Sequence, residues 1–393
     1  IRLSLVGSEM CIRDSDRAWQ GATQVVRAGL PPKAAGTPYL PGPVFAAPYH
    51  APGDPAQSPY TYGRFHNPSW THYEAALAAL EGGPCLLFPS GMAATAALLA
   101  TMVPPGGTLL MPQECYYTTR VIASQPFDGA WFASQGIRVI MAPTAGDGLR
   151  RALDEAGPGG VSLLWLESPT NPGLDVCDLA ALAARAHELG ALVAVDNTTA
   201  TPLLQQPLAL GADFCVVSDT KAMTGHADLV LGHVAARDPQ HVETLRLWRT
   251  RMGVIPGPME AWLAHRSLGT LHVRLMQQCR SAMQVAQYLA THDRVRGVRY
   301  PGLPHDPSHA IAAMQMAAFG CVVSFELESA EAVARFFAQS QLVYEATSFG
   351  GLHTSAERRA RWGGDVVSEG FVRMSVGLED VQDLLADLAA ALR

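Results

Sequence analysis

Short apolar runs, separated by stretches long enough for a helix, recur between residues 85 and 234 of this 393-residue chain. They fall at 85–88, 108–111, 137–142, 161–166, 192–195, 214–217 and 229–234. Runs that are apolar at nearly every position belong to strands buried on both faces, and strands alternating with helices build a largely parallel α/β sheet. Between two of them, residues 178–189 repeat apolar side chains at helical spacing and stop at Gly190, a helix C-terminal signal. A crossover helix there sets the strand ends at 166 and 195 side by side on one edge.

The chain is longer than one core comfortably holds, which predicts two domains and a cleft between them. A large domain is expected over 71–256 and a smaller one over 257–393. Regular structure is predicted to begin at Thr71 with a helix to about Leu80. The Pro89-Ser90-Gly91 turn then leads into a second Ala-rich helix from about Met92. After Gly257 one long helical stretch is expected to about residue 291, then a strand over 321–327, a helix near 330–339 and a last helix from Val381. Residues 16–70, dense in Pro and Gly from 28 to 68, read as an extended arm unable to bury a face of its own. Residues 1–15 carry no helical or strand period and read as a non-native artefact.

A formal charge of −7 with 16% charged residues leaves no electrostatic footprint for nucleic acid or an anionic membrane. No apolar run approaches the roughly 18 residues that span a bilayer, and a cytoplasmic location is expected. The seven cysteines are scattered without a CxxC pair, so they are expected to be reduced and mostly buried. His226 and His233 lie seven apart with no ligand partner at helical spacing, and no metal site is expected.

Lysine usage narrows the chemistry. Only Lys33 and Lys221 occur, and Lys221 stands just past an apolar strand, where α/β proteins bind ligands. A desolvated amine there has its pKa lowered into the nucleophilic range, although a loop lysine that snorkels to water fits the position alone equally well. Asp196 ends the preceding strand at the same sheet edge, as a partner for a pyridine nitrogen, a turn cap or a ribose ligand. No GxGxxG precedes it, which weakens the ribose reading. Ser90, Gly91 and Met92 open a helix whose N–H groups suit a phosphate, and Ser218 and Thr220 flank the lysine with hydroxyls for the same group.

Together these motifs resemble one family. Ser218-x-Thr220-Lys221-x-x-x-Gly225-His226, Glu167-Ser-Pro-Thr-Asn171-Pro, Asp196-Asn-Thr198 and Arg373-x-Ser-Val-Gly-x-Glu379-Asp380 are similar to those of the Cys/Met-metabolism enzymes of pyridoxal-phosphate fold type I. The likeness runs from about residue 24 to the last residue. It implies an aspartate aminotransferase-like fold, with a mostly parallel seven-stranded sheet and a smaller C-terminal α/β domain. It also implies pyridoxal 5′-phosphate held as a Schiff base on Lys221, Asp196 as the pyridinium partner, and Tyr116 stacked on the ring. By the same resemblance Thr198 belongs to the cofactor site, and Tyr62 and Arg64 reach the cofactor phosphate of a neighbouring subunit in a homodimer or homotetramer. Asn171, Ser348 and Arg373 hold the substrate α-carboxylate, with Glu167 and His353 also on the substrate side.

The family's members differ in where the leaving group sits, so the reaction depends on the distal pocket. Cystathionine-handling relatives carry a glutamate where this chain has His353, Tyr117 replaces a usual glycine, and Thr118 stands where methionine γ-lyases carry cysteine. The stretches 253–266 and 357–365 most resemble actinobacterial cystathionine γ-lyases. The activity implied is γ-elimination of cystathionine to cysteine, 2-oxobutanoate and ammonia. γ-Replacement, as in cystathionine γ-synthase or an O-acylhomoserine sulfhydrylase, is the alternative. A nucleotide-binding or catalytically silent α/β scaffold is the reading from another class.

Overall fold

The computed structural model describes residues 19–124 and 135–393, so the expected artefact at 1–15 lies outside the described residues. Seven strands form one sheet: β1 (Cys85–Phe88), β2 (Thr108–Pro112), β3 (Arg138–Ala142), β4 (Leu163–Glu167), β5 (Leu192–Asp196), β6 (Phe214–Val217) and β7 (Gly232–Ala236). Their spatial order is β1-β7-β6-β5-β4-β2-β3. β1, β2, β4, β6 and β7 are buried at every residue, as continuous apolar runs require, whereas the edge strand β3 is largely half-exposed.

The crossover helix is Leu179–Glu188, begun by the Asp178 side chain accepting from Ala181 N. Gly190, at φ 83°, supplies the left-handed residue that ends the turn after it. The crossover sets β4 and β5 in parallel register, with Glu167 opposite Asp196. Two carboxylates therefore leave the sheet together.

The last apolar run departs from expectation. β7 starts at residue 232 rather than 229 and runs antiparallel to both neighbours. Leu231 is held outside the ladder, its N–H donating to Thr220 Oγ1 and its carbonyl accepting from the same hydroxyl, both at 3.1 Å.

A second sheet follows, in the order β10-β11-β12-β9-β8. Its strands are β8 (Arg296–Arg299), β9 (Val322–Glu326), β10 (Tyr344–Glu345), β11 (Ser355–Arg358) and β12 (Phe371–Ser375). Only β9 was expected. The single helical stretch after Gly257 is two helices, Pro258–Leu268 and Leu271–Ala290, broken at Gly269-Thr270.

Regular structure begins before Thr71. Helix Gly21–Arg27 buries Val25, and helix Pro68–Glu81 starts at proline because Asn67 caps it, accepting from Ser69 N. The arm lies partly on its own chain, with Trp262 Nε1 donating to Pro41 O at 2.8 Å. Among the described residues no helix is long and apolar enough to cross a membrane.

Candidate active site

β5 and β6 end at neighbouring points of the sheet edge, and the chain after β6 turns sharply. Ser218 N donates to Thr198 Oγ1 at 2.8 Å, and Lys221 N donates to Ser218 O at 3.1 Å. This turn points Lys221 into a cavity of about 460 Å³, lined as well by Asp196, Thr198, Ser218 and Thr220. Lys221 Nζ donates to Ser348 Oγ at 2.8 Å. Burial and the neighbouring Arg373 charge push the amine down to about 8, against the opposing pull of Glu357 and Asp196. The free, nucleophilic base is then about a tenth of the amine at pH 7, far more than for an ordinary lysine.

Asp196 faces the same cavity and accepts from Thr198 N at 3.0 Å. Burial raises its carboxyl, while the Thr198 hydrogen bonds and the Lys221 charge act the other way. Its register neighbour Glu167 is turned to a different task. One oxygen accepts from Tyr116 N at 2.6 Å and the other from Asn171 N at 2.7 Å. Burial, then the Asp196 charge, raises its pKa well above the ordinary carboxylate range. Glu167 lines the cavity, but both oxygens serve to fix the backbone at Tyr116 and Asn171.

At the opposite wall Arg373 comes from β12. Its Nη1 donates to Asn171 Oδ1 and its Nη2 to Ser348 O, each at 2.7 Å, and Nη2 also meets Glu357 Oε1. Its Nε–H is buried with no hydrogen-bond partner. A fixed guanidinium with one donor left over in a cavity wall suits a carboxylate ligand. Burial lowers this guanidinium to about 10 although Glu357 pulls the other way. The Phe349 ring packs between the two cations, 5.4 Å from Lys221 Nζ and 5.3 Å from Arg373 Cζ.

The remaining wall is the start of helix Gly91–Met102. The Ser90 hydroxyl accepts from Ala93 N at 3.0 Å, leaving the N–H groups of Gly91 and Met92 without an acceptor inside the helix. A Cβ on Gly91 would lie 2.7 Å from Ser218 Cβ, and one on Gly232 would lie 2.5 Å from Gly91 Cα. Only glycines let the helix start press against the ends of β6 and β7. This cradle of free N–H groups beside the Ser218 hydroxyl fits a phosphate, Lys221 fits an aldehyde, and Asp196 fits a ring nitrogen. The Thr220 hydroxyl is committed to Leu231, so its part is to hold the turn.

Three expected site residues lie away from this cavity. Tyr62 and Arg64 are on the arm, where Arg64 Nη1 donates to Thr250 O at 3.1 Å and its guanidinium sits 4.9 Å from the Phe65 ring centroid. His353 is exposed and packs edge-on against Tyr344, 5.7 Å between ring centres. The cause is its neighbour: Thr354 turns inward, its N–H and hydroxyl both donating to Glu379 at 2.7 Å, which sends residue 353 outward.

Sequence reasoning missed Glu357. It is fully buried and receives Arg373 Nη2, Arg359 Nη1 at 2.7 Å and Trp362 Nε1 at 2.9 Å. Arg359, Trp362 and Gly364 line the cavity, and Arg120 ties this segment across the opening by donating to Gly364 O at 2.7 Å and Asp365 Oδ1 at 3.2 Å. A signal was present: five charged residues fall within 357–365 in a chain only 16% charged.

Comparison with known proteins gives the family. Residues 45–393 match the model of the family described as "Cys/Met metabolism PLP-dependent enzyme". A Streptomyces coelicolor protein named "Putative cystathionine gamma-lyase" is 52% identical over 375 residues, covering 94% of this chain and 93% of that protein. Cystathionine gamma-synthase of Escherichia coli is 36% identical over 389 residues, covering 95% and 97%. The crystal structure of metB from Corynebacterium glutamicum superposes with a TM-score of 0.90 at 32% identity, covering 95% of this chain and 98% of that one. With the fold and the similarity over most of the chain in agreement, the chain belongs to the Cys/Met metabolism family of pyridoxal-phosphate-dependent enzymes, of fold type I.

Proposed function

We propose that the chain is a carbon–sulfur lyase that eliminates cysteine from the γ-carbon of cystathionine, leaving 2-oxobutanoate and ammonia. The carrying observation is Lys221, a half-buried amine lowered to about 8 and held against Ser348, under the influence of Arg373 and Asp196. The choice of γ-elimination is supported by the name of the 52% identical Streptomyces coelicolor relative. Thr118 on the cavity wall, where methionine γ-lyases carry cysteine, favours cystathionine over methionine.

Pyridoxal phosphate, when bound, supplies the electron sink for the pair left by a broken Cα–H bond. The Gly91 and Met92 N–H groups and Ser218 would hold its phosphate, Asp196 its ring nitrogen and Lys221 its aldehyde. Arg373, Asn171 and Ser348 orient the substrate by its α-carboxylate, which aims Cα and Cβ at the Lys221 amine. Lys221 as its free base takes the Cα proton, would hand it on to the bound cofactor, and so regains the free base that takes a Cβ proton. The Tyr116 hydroxyl on the cavity wall donates to the departing sulfur.

Purified protein incubated with cystathionine, homocysteine, cysteine and O-acylated homoserines tests the assignment, with keto acid, sulfide and amino acid products followed separately. Cystathionine alone should yield 2-oxobutanoate. Turnover only of an acylated homoserine together with a thiol would make the enzyme a γ-replacement catalyst.

We further propose that Tyr62 and Arg64 serve the phosphate site of a second copy. Their place on an arm away from their own chain's cavity supports it. Mixing an Arg64→Ala variant with a Lys221→Ala variant should then restore activity that neither has alone. Mixtures as inactive as their parents would refute the sharing.

A further inference from the structure

Beneath the lysine turn lies a cluster of ionisable side chains that the reaction does not use. Glu81 ends helix Pro68–Glu81, His233 comes from β7, and Asp219 stands two residues before Lys221. His233 Nδ1 lies 2.7 Å from Asp219 Oδ1 and Nε2 lies 3.1 Å from Glu81 Oε1, with all three side chains 0% exposed. An imidazole with a carboxylate oxygen at each nitrogen is satisfied at both as the doubly protonated cation. Burial alone would lower this imidazole, but the charges and hydrogen bonds of Asp219 and Glu81 outweigh it and push it up to about 10.

Glu81 and Asp219 set two carboxyl groups against one imidazole in the interior. Asp219 Oδ2, Glu81 Oε2 and the neighbouring Tyr73 hydroxyl are buried without hydrogen-bond partners. Such a cluster costs desolvation free energy that a packed apolar set avoids. Its placement suggests what it does instead. In the ladder His233 stands opposite Val217, the last residue of β6 before the turn, and opposite Leu87 of β1. The Asp219 carbonyl accepts from Thr224 N at 3.0 Å and Thr224 Oγ1 at 2.9 Å, so the same residue closes the turn. Beyond the lysine, Arg274 donates to Ala222 O at 2.9 Å and Met223 O at 3.2 Å. Lys221 is thus carried on a backbone fixed on both sides by buried charged groups.

We propose that His233 is a positioning residue for Lys221, holding the turn through the buried Asp219–His233–Glu81 triad so that proton transfer, rather than substrate binding, depends on it. The proposal rests on Lys221 being the reactive amine.

The test uses the full chain loaded with pyridoxal phosphate, as wild type, His233→Gln, Asp219→Asn and the double variant. Four quantities are read: kcat and KM on the best substrate of the wild type, the pH midpoint of the bound cofactor's absorbance, and borohydride tagging at Lys221. His233→Gln should lower kcat at least about 10-fold with KM changed less than about twofold, the signature of a misplaced group. The midpoint should move by about 0.5 pH unit or more, because the amine's surroundings change. Asp219→Asn keeps an oxygen for Nδ1 and should lose less, and the double variant should lose no more than His233→Gln. Wild-type kcat and an unmoved midpoint in His233→Gln overturn the proposal, as does a kcat loss matched by the loss of folded protein. Should His233→Gln fail to fold, Asp219→Asn decides: a lower kcat at constant KM supports the triad, and wild-type kcat overturns it. A wild-type protein that borohydride cannot tag at Lys221 overturns the cofactor reading itself, and this one with it.

Discussion

Lys221 and Ser348 meet at 2.8 Å, the amine donating to the hydroxyl of a serine whose own backbone sits in the left-handed region at φ 77°. A side chain in that conformation is held there against its preference by the surroundings. Here Ser348 O receives Arg373 Nη2, so backbone and side chain each meet one of the two cations.

That arrangement separates two effects at one position. Ser348→Ala loses the hydroxyl and keeps the strain, whereas Ser348→Gly loses the hydroxyl and relieves it. In urea unfolding the glycine variant should be about 1 kcal/mol more stable than the alanine variant. Both should fall well below wild type in kcat/KM.

The lysine itself destabilises the fold in its charged form. Its folded value of about 8 lies below the ordinary lysine value, so the penalty is complete below about pH 8 and vanishes above roughly pH 10.5. Cofactor-free Lys221→Met should therefore exceed wild type in stability by roughly 1–3 kcal/mol at pH 7. The gain should shrink as pH rises between those limits. Thermal unfolding across that range checks it, and an undiminished gain at high pH would point to packing instead.

Glu357 meets three arginines, Arg373 and Arg359 most closely and Arg361 at 3.4 Å, and removing its charge leaves each short of a partner. Burial tends to raise its carboxyl, but Arg373, Trp362 and Arg359 together hold it below the usual range. Its stabilising contribution is thus present above the ordinary glutamate pKa and is lost as pH falls through the folded value. Glu357→Gln should cost about 3 kcal/mol or more and raise KM by about 10-fold or more, since Arg373 loses its alignment. Unfolding curves and steady-state kinetics on the same preparation check both.

Gly364 is matched to Tyr117. A Cβ there would lie 2.7 Å from Tyr117 Cδ2, so Gly364→Ala should displace the ring from the cavity wall. The variant should keep its fold, change KM by about threefold or more, and be corrected by adding Tyr117→Gly. Kinetics of the two single variants and the double variant decide it.

The half of the site borne on strand ends was legible from the chain. Asp196 follows an apolar run directly and Lys221 stands four residues past the end of another, so placing the runs places them. An apolar run carries no direction, however, and the reversal of β7 could not be read from 229–234. The pairing of Glu357 with Arg373 was hidden for a related reason. They face each other in the antiparallel register of β11 and β12, two short strands whose residues do not form long apolar runs. Reasoning by motif put His353 at the substrate, whereas the inward turn of Thr354 shows that burial of a neighbour decides which way a loop residue points.

The sheet order has a consequence for biosynthesis. Among the described residues β1 pairs with β7 alone, so it is laddered once residues 232–236 have left the ribosome, and the proposed carboxylate clamp arrives later still, with Arg373. A nascent chain holds Lys221 well before it holds Arg373, the proposed partner for the substrate carboxylate. Formation of the final cavity by distant segments predicts slow maturation, and truncated products that bind an aldehyde but turn nothing over.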